Sequence, residues 1–85
     1  MKIGDTFRFG VPNGSYGIIV DENHFGGFYV RYNYGLDVKG EPITASANLR
    51  ADKMAPCPAE MYRRYTSCRA WSPEQREIDK EFNWS

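Results

Sequence analysis

Net charge is the first thing this sequence lacks. Its eleven Lys and Arg are matched by eleven Asp and Glu. A general nucleic-acid binder usually carries a basic excess, and a DNA mimic an acidic one; bulk charge points to neither. Histidine is reduced to one residue, His24, and cysteine to two, Cys57 and Cys68. No C-x2-C pair occurs, so no zinc site is expected, and no other metal or cofactor. No run of about twenty apolar residues is present, so no membrane-spanning helix is expected. The opening MKIGDTF has no apolar leader segment. The expected location is therefore cytoplasmic, where the two cysteines would stay reduced. There is no internal repeat and no low-complexity tract.

Aromatic residues are what the chain does have: two Trp, six Tyr and five Phe in 85 residues. A chain of this length buries only about 60% of its unfolded surface, so its stability margin is small. Large rings bring the most buried area per residue.

The stretch from Gly4 to Val30 organises the chain. It reads as an antiparallel meander. Ile3, Phe7 and Phe9 alternate with polar residues, as in a half-buried strand. Pro12-Asn13-Gly14-Ser15 makes a turn, since proline presets φ and glycine tolerates φ > 0. A second strand from Tyr16 to Asp21 places Tyr16, Ile18 and Val20 on one face. A loop over 22–27 ends in Gly26-Gly27. A third strand, Phe28 to Tyr34, places Phe28, Val30, Tyr32 and Tyr34 on one face and Tyr29, Arg31 and Asn33 on the other. The expected core is Phe7, Phe9, Ile18, Val20, Phe28, Val30 and Leu49.

Gly4-Asp5-x-Phe7-x-Phe9, followed by Pro12-x-Gly14-x-x-Gly17-Ile18-Ile19-Val20, resembles the opening of a KOW-type SH3-like barrel. The likeness covers roughly the first twenty residues, and more loosely the first fifty-eight. It implies a five-stranded antiparallel barrel and, for the KOW family, a tendency to bind RNA. KOW segments usually carry Lys or Arg just before the turn glycine, whereas this chain has Asn13.

Ile43 to Leu49 alternates again, with Ile43, Ala45, Ala47 and Leu49 inward. Arg50-Ala51-Asp52 would be the short turn before the last strand of such a barrel. Residues 53–57 would be that strand, closing against the first. Pro56-Cys57-Pro58 ends β-structure. From there the period becomes helical: Met61, Tyr65 and Cys68, with Tyr62 beside them, form one stripe. Ser72-Pro73-Glu74-Gln75 opens a second helix with a serine cap, a proline at the first position and a capping box. Trp71, Ile78 and Phe82 mark its expected buried side. The architecture is thus mainly β with α: an SH3-like barrel over 1–57 and a helical hairpin over 58–85, packed on it as a single domain.

Catalysis is not expected. A nucleophile needs a base within reach, and His24 and Cys57 have no spacing that pairs them. Gly14-x-x-Gly17 leads into a strand, not a helix, so it is no phosphate loop. The expected function is non-catalytic binding of another protein. The chain would act as a small regulator or inhibitor of a larger machine, of the kind phages and mobile elements encode. The candidate contacts are Phe25 and His24 at the loop tip, with Tyr29, Arg31 and Tyr34 on the same hairpin. Phe25 would either fold back over the barrel mouth or face a partner. Tyr29 and Arg31 would either join it or lie beneath the helices. Arg63 and Arg64, with Arg69, Tyr62 and Tyr65, form a basic–aromatic group that supports the alternative, RNA binding. The helix charges would either offset each other or meet a partner.

Overall fold

The computed structural model describes residues 2–10, 15–23 and 25–81. Five strands form one antiparallel sheet: β1 (Thr6–Phe9), β2 (Ser15–Glu22), β3 (Gly27–Leu36), β4 (Pro42–Arg50) and β5 (Met54–Pro56). A 3-10 turn, Ala51–Lys53, links the last two. Two helices follow, α1 (Ala59–Thr66) and α2 (Pro73–Lys80). The spatial order is β4-β3-β2-β1-β5.

The register sorts side chains between two faces. Phe7 stands opposite Gly17, and Gly17 opposite Tyr32; Ile19 stands opposite Val30 and Val30 opposite Ala47. Phe7, Ile19, Val30 and Met54 form the buried core of this face, with Phe9, Phe28, Tyr32, Ala47 and Leu49 packed around it. The second face carries Arg8, Tyr16 and Asn33 in register. Tyr16, Cys57, Met61 and Ile78 form the core beneath the helices.

Among the described residues no helix lies on the first face, yet Phe7 and Val30 are fully buried. Leu49 of β4 packs on the cluster that holds Met54 of β5, although these strands are opposite edges. The sheet must therefore curve strongly around its own side chains. It is not closed: no ladder joins β4 to β5 among the described residues. β5 does return to β1, with Phe7 opposite Pro56 and Phe9 opposite Met54. It is three residues long and ends in a proline without a backbone donor. Beyond it the Cys57 N–H bonds back to the Thr6 carbonyl at 3.1 Å, with the Thr6 hydroxyl donating to the Cys57 carbonyl at 2.7 Å.

The expected core needs correction on β2. Ile18 is only half-buried and Val20 is 42% exposed, whereas Ile19 is 1% exposed. Both faces of β2 are covered, so alternation alone does not say which residues meet the phenylalanines. Gly17 makes the choice: a Cβ there would lie 2.7 Å from the Phe7 ring and 2.8 Å from the Arg31 carbonyl. A register shift between Ile19 and Asp21 then leaves Val20 without a partner on β3.

Helix α2 begins as expected, with Ser72 Oγ accepting from the Gln75 N–H at 3.4 Å and Pro73 at the first position. The second half of the capping box does not form. Gln75 is buried, and its side chain is used elsewhere. Its Oε1 accepts from the Trp71 N–H at 2.8 Å, and its Nε2 donates to the carbonyls of Tyr34 (2.9 Å) and Tyr65 (3.0 Å). One amide thus ties α2 to β3 and α1. Beside it, the Leu36 N–H donates to the Cys68 carbonyl at 2.8 Å and the Ala70 N–H to the Leu36 carbonyl at 2.9 Å. This seam needs Gly35, whose φ is +113° and whose absent Cβ would lie 2.7 Å from the Cys68 carbonyl.

Trp71 was expected on the buried side of α2 but is 69% exposed. It occupies the left-handed region at φ 59°, where the chain reverses between the helices, and its ring stacks on Tyr34 at 6.1 Å. Phe82 lies outside the described residues.

Two substitutions check this register and seam by urea denaturation. Ile19→Ala should cost about 2–5 kcal/mol and Val20→Ala less than about 1 kcal/mol, the reverse of what the alternation suggests. Gly35→Ala should cost about 2–4 kcal/mol, because it adds both backbone strain and overlap with a carbonyl.

Candidate partner-binding surface

The β2–β3 turn is held from inside by Asn23. Its Oδ1 accepts from the Phe25 N–H at 2.9 Å and the Gly27 N–H at 3.0 Å, and its own N–H donates to the Gly27 carbonyl at 3.1 Å. Gly26 takes φ +79°. Gly27 is fixed against β4, since a Cβ there would lie 2.6 Å from the Leu49 carbonyl. This local bonding settles where Phe25 goes: the ring points outward and is 91% exposed.

Phe25 does not stand alone. With Tyr29, Asn48, Leu49 and Arg50 it lines an open cleft of ≈ 340 Å³. The Gly4 N–H donates to the Ile19 carbonyl at 2.9 Å and the Ile19 N–H to the Asp5 carbonyl at 3.0 Å, which lays the segment before β1 along β2. Ile3 and the extruded Val20 are therefore at the same end of the sheet as Tyr29, and all three are exposed. Clustered exposed apolar residues of this kind mark contact surfaces more often than scattered ones do.

The structure brings together Phe25 and Tyr29 from the expected set. Tyr34 lies at the far end of β3, against Trp71. Arg31 is exposed opposite Ser46, and its charge acts on the Tyr62 hydroxyl near α1. Arg63 and Arg64 are on the exposed side of α1, away from the tip. His24 lies outside the described residues. Sequence reading missed Ile3, Val20 and Arg50. Ile3 was expected in the alternation of the half-buried first strand, but β1 begins only at Thr6 and Ile3 is 57% exposed; a bulge that expels Val20 leaves no mark in the alternation.

The basic–aromatic group is divided. Tyr65 is half-buried with its ring centroid 4.0 Å from that of Tyr16, and Tyr62 packs on the same cluster. Burial pushes both phenols above their ordinary pKa. Arg64 makes a two-pronged bridge to Glu81 at 2.8 and 3.2 Å, which raises the guanidinium pKa and lowers that of the carboxyl. The opposite charges of the helices thus meet each other at this pair.

A second charge pair lies at the sheet–helix contact. Arg8 on β1 is 3% exposed and reaches Asp79 of α2 through Nε at 2.9 Å and Nη2 at 3.0 Å. The Tyr16 hydroxyl donates to the same carboxylate, and Arg8 Nη1 donates to the Gly10 carbonyl at 2.6 Å. Burial works against the Arg8 charge, but the hydrogen bond and charge of Asp79 outweigh it, so its pKa is raised.

Cys57 is buried beside this pair. Burial pushes its thiol up to about 11, so at neutral pH it is protonated and a poor nucleophile. Both cysteines are free. Among the described residues no group of three His, Cys, Asp or Glu could hold a metal ion, and no helix is long and apolar enough to cross a membrane. Comparison with protein-family models, curated proteins and solved structures finds no significant match.

The Cys57 shift carries a pH dependence. Its pKa is raised from 9.0 on folding. The unfolded chain therefore releases this proton first, and the stabilisation is present below pH 9 and lost as pH rises toward 11. The expected slope is about −1.4 kcal/mol per pH unit over that window from this thiol. Urea titrations across it should show the fall, and Cys57→Ala should reduce it.

Proposed function

We propose that this chain is a non-catalytic protein-binding module that presents the apolar end of its sheet, with Phe25 as anchor and Tyr29, Val20 and Ile3 around it. The observation that carries this reading is the outward Phe25 on a turn locked by Asn23. A large ring held outside costs little further ordering when a partner covers it. Aromatic anchors of this kind dominate interface energetics. The fold is read as an SH3-like small barrel lying open along one seam, because β5 follows a short 3-10 turn and returns to β1. The size and shape suit a regulator or inhibitor of a larger protein assembly, such as mobile elements encode. RNA binding is less well supported, since Tyr62 and Tyr65 are packed inward and Arg64 is engaged by Glu81.

The test is affinity capture from the source cell with wild-type and Phe25→Ala baits, with and without nuclease. A protein partner that survives nuclease and is lost with Phe25→Ala is expected. Truncation should weaken binding by about 2 kcal/mol or more, while folding stability stays within about 0.5 kcal/mol. A partner held equally by both baits would remove the tip as anchor. Loss of all partners with nuclease, and steep weakening with salt, would favour RNA.

A further inference from the structure

The two edges of the sheet are unlike. β5 is three residues ending in proline, a protected edge. β4 is nine residues long, and its pairing with β3 runs unbroken from Arg50 to Thr44. No described strand pairs with its other side. From Ile43 to Leu49 it contains no charge, no proline and no glycine. The usual devices that keep an edge strand from pairing are absent there.

The same seven residues read alike in both directions. Ile43-Thr44-Ala45-Ser46-Ala47-Asn48-Leu49 is apolar, polar, small, serine, small, polar, apolar. Thr44, Ser46 and Asn48 are exposed and Ile43, Ala47 and Leu49 half-buried, with Ala45 exposed on the side of the latter. A two-fold axis perpendicular to an antiparallel pair requires one residue to face its own copy. Centred on Ser46, the pairing sets Ile43 against Leu49, Thr44 against Asn48 and Ala45 against Ala47 of the other chain. Apolar meets apolar, polar meets polar, and faces match throughout. Glu41 precedes the strand and Arg50 ends it. Antiparallel pairing brings Arg50 toward the end that carries the other copy's Glu41, whereas parallel pairing would stack Arg50 on Arg50. The net charge of zero adds no bulk repulsion between copies.

We propose that β4 is a self-association edge, and that two copies of this chain join there about a two-fold axis at Ser46 into one continuous sheet. This goes beyond the partner contact at Phe25 and does not depend on it. Sedimentation equilibrium of the full chain should show a concentration-dependent mass rising toward twice 9.8 kDa. Ser46→Lys places two ammonium groups against each other at the axis while leaving an exposed site in the monomer. It should weaken association at least tenfold with an unchanged melting temperature when both chains are dilute enough to be monomeric, and mixing it with Ser46→Glu should restore the dimer. A wild-type chain that stays monomeric, a Ser46→Lys chain that still dimerises, or a mixture that fails to recover would overturn the proposal. If Ser46→Lys does not fold, oxidation of Ser46→Cys replaces it. Cross-linking absent from wild type, with its native Cys57 and Cys68, supports the axis; its absence refutes it.

Discussion

The structure depends on one partly buried charge contact. Arg8 sits in a strand that is paired on both sides, so its position is set by the sheet. Its guanidinium has left water and must be met by an anion. Asp79 supplies it with two hydrogen bonds, and Tyr16 adds a third to the same carboxylate. Removing one partner of such a pair commonly costs about 3–5 kcal/mol, because the other charge is left behind. That is a large share of the stability available to a chain of this length. The contact therefore does less to strengthen the fold than to select it: only one placement of α2 leaves Arg8 neutralised.

Gln75 fixes the remaining freedom. A helix resting on Tyr16, Met61 and Ile78 alone could slide, since apolar contact has no direction. The amide bonds Tyr34, Tyr65 and Trp71, on three different segments, and all of these bonds have definite geometry. Apolar burial on both faces of the sheet supplies the driving force. The polar groups at the helix face supply the register.

Much of this was legible in the sequence. The strands, their order of appearance and the helix starts follow from alternation, prolines and the Ser72 cap, whereas the return of β5 to β1 was implied by the likeness to an SH3-like barrel. The rest depended on information that alternation does not carry. Ile18 and Ile19 are equivalent in a strand covered on both sides, and Gly17 beside Phe7 decides between them. Gln75 looked like a capping residue because local spacing could not show the Tyr34 and Tyr65 carbonyls across the fold. Phe25 was identifiable as a loop-tip aromatic, but its direction was not, since it follows from the bonding of Asn23. Tyr34 was placed with it as part of the same hairpin, and the length of β3 separates them, while Arg63 and Arg64, read as a separate basic group, lie on α1.

The Arg8–Asp79 contact spans 71 positions of the chain. A chain under synthesis can form the meander early, since its neighbours are local. It cannot satisfy Arg8 until it has been made as far as Asp79. Until then Arg8, on the face that the helices cover, stays in water and needs no counter-ion. The cation is desolvated and neutralised together when the second helix docks. Helix α2 thus brings the cover and the counter-ion of Arg8 in one element, so neither can be present without the other.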